Sequence, residues 1–307
     1  MRARTRSARR PAGCWSPCPV EAPGLIRPRG RLDRPDPMRR IAVGLEYQGS
    51  GYAGWQTQAS RPSVQALAEA ALSEVAAEAV SLVCAGRTDA GVHSRGQVAH
   101  FDTHAERTMR SWVLGANSQL PRDISVAWAR PVPAHFHARY SAEARTYRYL
   151  ILNRQARSAL GARRVTWIHR PLDERSMGQA AALLQGEHDF SAFRAAQCQA
   201  KSPIRRLERL AVWRDGDGLF IEATANAFLH HMVRNIAGLL IVIGKGDAPP
   251  AWAAQVLQGR DRRLAAPTAP ADGLYLWAVR YPEAFALPGP AQIASPVPGG
   301  QSAIIAG

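Results

Sequence analysis

Lysine is nearly missing from this chain: Lys201 and Lys245 are the only two among 39 Lys and Arg residues, so the formal charge of +15 is carried by arginine. Planar guanidinium forks suit bidentate phosphate contacts, but an Arg- and Ala-rich, Lys-poor composition also follows from codon usage in a GC-rich genome. The placement of particular arginines is therefore more informative than their number. Cysteine is also scarce. Cys14 and Cys18 lie near the start, and Cys84 and Cys198 are isolated, which leaves neither a disulfide framework nor paired zinc-ligand spacing and fits a reducing cytoplasm. No apolar run reaches the length of a membrane span. The nearest, Phe228 to Ile243, is interrupted by His230, His231, Arg234 and Asn235 and reads as a buried helix. Phosphate-binding loops, dinucleotide fingerprints and a Ser-His-Asp order are missing as well.

What is present is length enough for two units with their own cores, and an apolar fraction of 46%,. The first 37 residues hold nine Arg against three acids, a surplus of six, so the remainder still carries +9. A basic body points to a polyanionic partner, with nucleic acid ahead of an anionic membrane surface. Residues 1–37 also hold seven prolines and no period, the composition of a disordered leader without a secretory core,. Met38 stands directly before the first clean strand, and translation is expected to start there. Residues 287–307 turn to Pro, Gly, Ala and Ser and read as a flexible tail,.

Between these ends strands and helices alternate. Ile41, Val43, Leu45 and Tyr47 share one face of a strand. Ser63 is placed to cap a helix with apolar positions Val64, Leu67, Ala71, Leu72 and Val75,. Val80 to Cys84 and Gln97 to Asp102 read as strands on either side of a loop. A second series begins near Ala144. It comprises a strand through Tyr147, Tyr149 and Ile151, a helix over Leu172 to Leu184, and a hairpin pairing Leu207–Trp213 with Leu219–Ala223 across Asp215-Gly216-Asp217-Gly218,. Helices over about Ala227 to Ile243 and Ala251 to Leu257 and a strand over Leu274 to Tyr281 complete it. The expectation is two similar α+β halves, residues 38–143 and 144–286.

The loop between the first pair of strands, Gly86-Arg87-Thr88-Asp89-Ala90-Gly91-Val92-His93, sets one carboxylate and one guanidinium between glycines. Such a loop can bend sharply and present Asp89 as a nucleophile, or Thr88 and Asp89 can simply cap a turn with their own oxygens. Arg234 lies in a run that is apolar on nearly every side, where an uncompensated guanidinium is costly and a carboxylate is the natural partner. Spacing does not say which carboxylate. His230 and His231 are adjacent, point in different directions on a helix, and are read as packing or pocket-lining residues with no third ligand in view.

Several segments together resemble the bacterial tRNA pseudouridine synthase A (TruA) family. They are the Asp89 loop, Phe136-His137-Ala138-Arg139-Tyr140-Ser141-Ala142, Tyr147-Arg148-Tyr149 and Asn226 through Asn235, with Glu46-Tyr47-Gln48-Gly49, Gly54-Trp55-Gln56 and Gly273-Leu274-Tyr275-Leu276. The likeness covers about residues 39 to 288. It implies an α+β pseudouridine synthase fold of two similar halves, with mainly antiparallel sheets flanked by helices and an active-site cleft between them. It also implies a cytoplasmic homodimer that isomerises uridine to pseudouridine at positions 38, 39 and 40 of the tRNA anticodon arm, on a flipped-out base, with no cofactor or metal. Asp89 matches the nucleophile, which attacks either C6 of the ring or C1′ of the sugar. Arg234 matches the cation that keeps this acid ionised. Tyr147 matches the residue that packs against the target uracil, its hydroxyl a candidate for proton transfer. Arg87 matches the residue that fills the space of the extruded nucleotide. Arg139, Arg145, Arg148, Arg205 and Arg206 are candidates for phosphate contacts, with Arg139 and Arg148 expected in the substrate site. A non-catalytic tRNA-binding protein or RNA chaperone is the alternative, and a hydrolase using Asp89 lacks a second catalytic group.

Overall fold

The structure is a computed structural model that describes residues 38–289. The leader over 1–37 and all of the tail beyond residue 289 lie outside the described residues. Within the described residues ten strands form one sheet: β1 (Arg39–Tyr47), β2 (Val83–Cys84), β3 (His93–Thr103), β4 (Ile124–Val132), β5 (Ala144–Asn153), β6 (Thr166–Ile168), β7 (Gly186–Asp189), β8 (Ile204–Asp215), β9 (Gly218–Ala225) and β10 (Leu274–Arg280). Five α-helices accompany them: α1 (Val64–Ala76), α2 (Met109–Gln119), α3 (Glu174–Ala182), α4 (Met232–Gly244) and α5 (Trp252–Gly259).

Local chemistry accounts for most of these boundaries. The Ser63 hydroxyl accepts from Ala66 N at the start of α1, Thr108 does the same for Ser111 N at α2, and Asp173 for Arg175 N at α3,. The expected hairpin closes with Asp215 opposite Gly218 and Gly216 at a φ of 54°,. Helix α4 starts at Met232, five residues later than the apolar run suggested, because His231 adopts a left-handed conformation (φ 62°) that a helix cannot contain,.

The strand order is β4-β1-β3-β10-β5-β9-β8-β7, with β2 paired to β3 and β6 to β5. Most pairs are antiparallel, which bears out the α+β class, but the two sheets expected of two halves are one. The last strand, β10, runs parallel to β3 and antiparallel to β5 and so joins the halves. Paired residues share a face of a sheet, and the registers Tyr47↔Ser94, Ser94↔Leu276 and Leu276↔Tyr147 carry one row across this seam. Tyr47 and Tyr147 therefore project from the same face. On that face Ile41, Val43, Leu45 and Phe101 pack with Val64, Ala68, Leu72 and Trp112 of α1 and α2. Tyr149 and Ile151 pack there with Met177 of α3 and Ile236, Leu239 and Leu240 of α4. The two helical groups thus stand on one side of the sheet, flanking its middle strands. Among the described residues no helix is long and apolar enough to cross a membrane.

Candidate active site

The Asp89 loop joins β2 to β3, over the middle strands and between the helical groups. It is tightly framed. The Thr88 hydroxyl lies 2.8 Å from Tyr47 Oη, the Thr88 carbonyl accepts from Trp55 N at 3.0 Å, and Gln97 Nε2 donates to Gly86 O at 2.6 Å. At the end of the loop the His93 ring accepts from Gly49 N and stacks on Tyr275. Gly91 uses a positive φ of 80°, as a sharp bend requires, but Gly86 does not. The second glycine the loop depends on comes from another segment. A Cβ on Gly54, itself at φ 96°, would stand 2.5 Å from Thr88 O,.

The frame leaves the Asp89 side chain about one quarter exposed. Its carboxylate bonds none of its own loop's N–H groups among the described residues, so the turn-capping role falls away. Instead Oδ1 lies 3.2 Å from His230 Nε2, and Oδ2 lies 3.3 Å from His231 Nε2 and 3.7 Å from Arg234 Nη1. Arg234 is mostly buried, and its Nε donates to Ala269 O at 2.8 Å, which aims the rest of the guanidinium at the acid. His231 directly precedes α4 and Arg234 lies in its first turn, where the helix dipole favours an anion,. Burial holds the His231 imidazole below the ordinary histidine range, against the pull of Asp89.

Tyr147 is buried, with the Phe228 ring edge-on to it at 5.1 Å. Burial raises its phenol well above the ordinary tyrosine range, and the nearby Asp89 charge adds to this, so the hydroxyl stays protonated. A Cβ on Gly86 would stand 3.7 Å from that hydroxyl, which places the bare glycine backbone beside the ring. Asp89, Arg234 and Tyr147 are thus brought together as expected. Arg87 is exposed on the same loop, and Arg139 is exposed on the turn before β5.

The other arginines differ. Arg148 follows Tyr147 in β5 and therefore points to the opposite sheet face, where it pairs with Glu222 at 2.6 Å and lies 4.0 Å over Trp277,. Its expected place in the substrate site is corrected by that alternation. Arg145 is buried and spends the four N–H groups of Nη1 and Nη2 on the carbonyls of Ala85, Arg139, Ala142 and Asn226, which ties it to the frame of the site. Arg205 bonds Ser202 O and Ile204 O, and Arg206 pairs with Glu208, both on β8, two strands beyond β5.

The histidine pair is what sequence reasoning missed. The two side chains diverge only if residue 231 is helical; its left-handed turn instead lays both rings on the carboxylate, 4.0 Å apart. The one available signal was weak, since His is among the residues that tolerate this conformation. One ligand atom each from Asp89, His230 and His231 lies within 4.8 Å of the others, a spacing able to hold a metal ion, although the Arg234 guanidinium at 3.7 Å competes for the same carboxylate.

A family described as tRNA pseudouridine synthase matches residues 45–141 and 180–282. The chain is 57% identical over 248 residues to the tRNA pseudouridine synthase A of Methylococcus capsulatus, covering 81% of this chain and 92% of that protein. It is 57% identical over 250 residues to that of Pseudomonas aeruginosa (81% and 88%) and 56% over 252 residues to that of Alcanivorax borkumensis (82% and 94%). With this match across the ordered sheet and helices, the chain belongs to the tRNA pseudouridine synthase family.

Proposed function

We propose that the chain isomerises uridine to pseudouridine at positions 38, 39 and 40 of the tRNA anticodon arm, with Asp89 as the nucleophile toward a flipped-out base. The reaction class and the tRNA substrate follow from family membership. The observation that supports the finer reading is the Asp89 carboxylate itself, held by three nitrogen-bearing side chains and none of its own loop's N–H groups.

The reaction breaks the bond between ribose C1′ and uracil N1, turns the base, and rejoins it through C5 with loss of the C5 proton. Asp89 attacks C6 or C1′, and either route needs an ionised acid out of bulk water. Desolvation alone would favour the neutral acid. Arg234, the start of α4 and the two imidazoles oppose this at one side of the carboxylate. Tyr147 packs against the uracil. Its raised phenol makes it a poor base as it stands, so packing is its first role. Stems bury their bases, and the acid reaches its atom only on an extruded nucleotide, with Arg87 on the same loop to fill the gap and Arg139 to meet phosphate. Acceptance of adjacent positions calls for recognition by shape and backbone.

The same reading makes the working unit a cytoplasmic homodimer with tRNA spanning both subunits, which a native mass in the absence and presence of tRNA checks. Position-resolved mapping of pseudouridine in unmodified tRNA transcripts treated with the protein tests the target. Modification at 38 to 40 is expected. Modification confined to other positions overturns the site assignment, and tight binding without modification favours an RNA chaperone.

A further inference from the structure

Tyr140 is a large aromatic side chain left 76% exposed, yet it is not loosely held. Its ring stacks on the His137 ring with centroids 4.3 Å apart and planes 30° from parallel. His137 Nδ1 accepts from the backbone N–H groups of both Arg139 and Tyr140 at 3.2 Å, and the Ser141 hydroxyl accepts from His137 N at 3.0 Å. Beneath the turn, Ala138 is fully buried, its N–H donates to His100 Nδ1 at 3.1 Å, and its carbonyl accepts from Tyr281 Oη at 2.5 Å. One face of the phenol ring is thus fixed against protein while most of the side chain stays open to solvent. Arg139 adds a cation 5.6 Å from the same ring.

This turn is tied to the site. The Arg145 Nη2 donates to Arg139 O at 2.5 Å and to Ala85 O at 3.0 Å, and Nη1 donates to Asn226 O at 2.9 Å. Ala85 directly precedes the Gly86–Asp89 loop, and Asn226 opens the segment that carries His230 and His231. One buried guanidinium therefore holds together the platform, the acid and its imidazole partners. A rigid aromatic face beside a cation is the arrangement that binds an unstacked base, and the cost of ordering it is already met in the fold.

We propose that Tyr140, with Arg139, is a stacking platform for the nucleobase next to the extruded uridine, a binding site for one unpaired base outside the catalytic pocket. The inference rests on the proposed tRNA reading. The occupant is a base and not an apolar protein surface because the ring is bordered by the Arg139 guanidinium, and a ring edged by a guanidinium complements a base attached to a phosphate.

The test is a cycle between protein and RNA, read by tritium release from anticodon stem-loops labelled at uridine C5. Tyr140→Ala is expected to raise KM roughly 5- to 100-fold with kcat within about twofold of wild type, and Tyr140→Trp to restore KM. Tyr140→Leu, which keeps bulk without a π face, should behave like the alanine variant. An abasic residue placed on one side of the target uridine should itself raise KM and remove the further effect of Tyr140→Ala, the non-additivity expected of direct contact. An unchanged KM in Tyr140→Ala, or the same loss on intact RNA and on RNA abasic at either flank, overturns the platform. Wild-type turnover alongside either result leaves the isomerase reading standing, whereas absence of wild-type turnover speaks against that reading itself.

Discussion

On the helix-covered face of β5, Tyr147 meets Phe228 and lies within the field of Asp89, while one residue later Arg148 stands on the open face between Trp213 and Trp277 and is neutralised by Glu222. The two faces use the same amino acid differently. Toward the site, Arg234 keeps part of its guanidinium directed at an acid, and Arg145 gives both its Nη groups to backbone carbonyls. Away from it, Arg148 and Arg209 share Glu222 and so act as sheet-surface glue. In a chain whose cations are nearly all arginine, what an arginine can do is decided by which face it is on and what has already claimed its donors.

The sharpest way to break this contrast is Arg234→Met. On the present account it lowers kcat about 100- to 1000-fold while tRNA affinity stays within about threefold, because the loss is in the environment of Asp89. Single-turnover rates and filter-binding constants on the same preparation measure both, and a variant with a normal rate would leave the charge on Asp89 to the histidines and the helix. Arg145→Met should act through the frame. Four carbonyls lose their donor, at a cost of about 3 kcal/mol and a fall of roughly 10 °C in Tm, with activity lost in proportion to loosening of the Asp89 loop. A variant that is stable yet inactive would instead make Arg145 a substrate contact. The smallest effect belongs to the other face. Arg148→Met should cost about 1 kcal/mol, since Glu222 is partly exposed and keeps Arg209,, and should leave KM for tRNA unchanged. A raised KM would return Arg148 to the substrate site.

Much of this arrangement was legible in the residues. The Ser63 cap, the Asp-Gly-Asp-Gly hairpin and the period-two strands are local signals, and local signals survive folding,. The alternation in β5 was legible too: neighbours in a strand cannot both face one pocket, which separates Tyr147 from Arg148 without any structure. Other features were not. The insertion of β10 between β3 and β5 joins residues 93 and 275, a pairing that no window of sequence contains. The start of α4 was misread because the apolar run continues through residues 227–231 while the backbone turns left-handed at His231. That same turn swings two histidines onto Asp89, so the error about a helix boundary and the missed pair are one event. Likewise Arg145 stood as a candidate phosphate contact until burial and four carbonyl acceptors fixed its role.

The central claim is that Asp89 is the attacking group, and tritium release from tRNA labelled at uridine C5 tests it directly when Asp89→Asn is compared with wild type. The substitution keeps the size of the side chain and leaves the backbone of the loop untouched, where Val92 N donates to Asp89 O and Gly54 packs against the Asp89 carbonyl carbon, so a folded protein that still binds tRNA is expected. The account predicts release reduced by about three orders of magnitude or more; release at a near-normal rate from Asp89→Asn would contradict it.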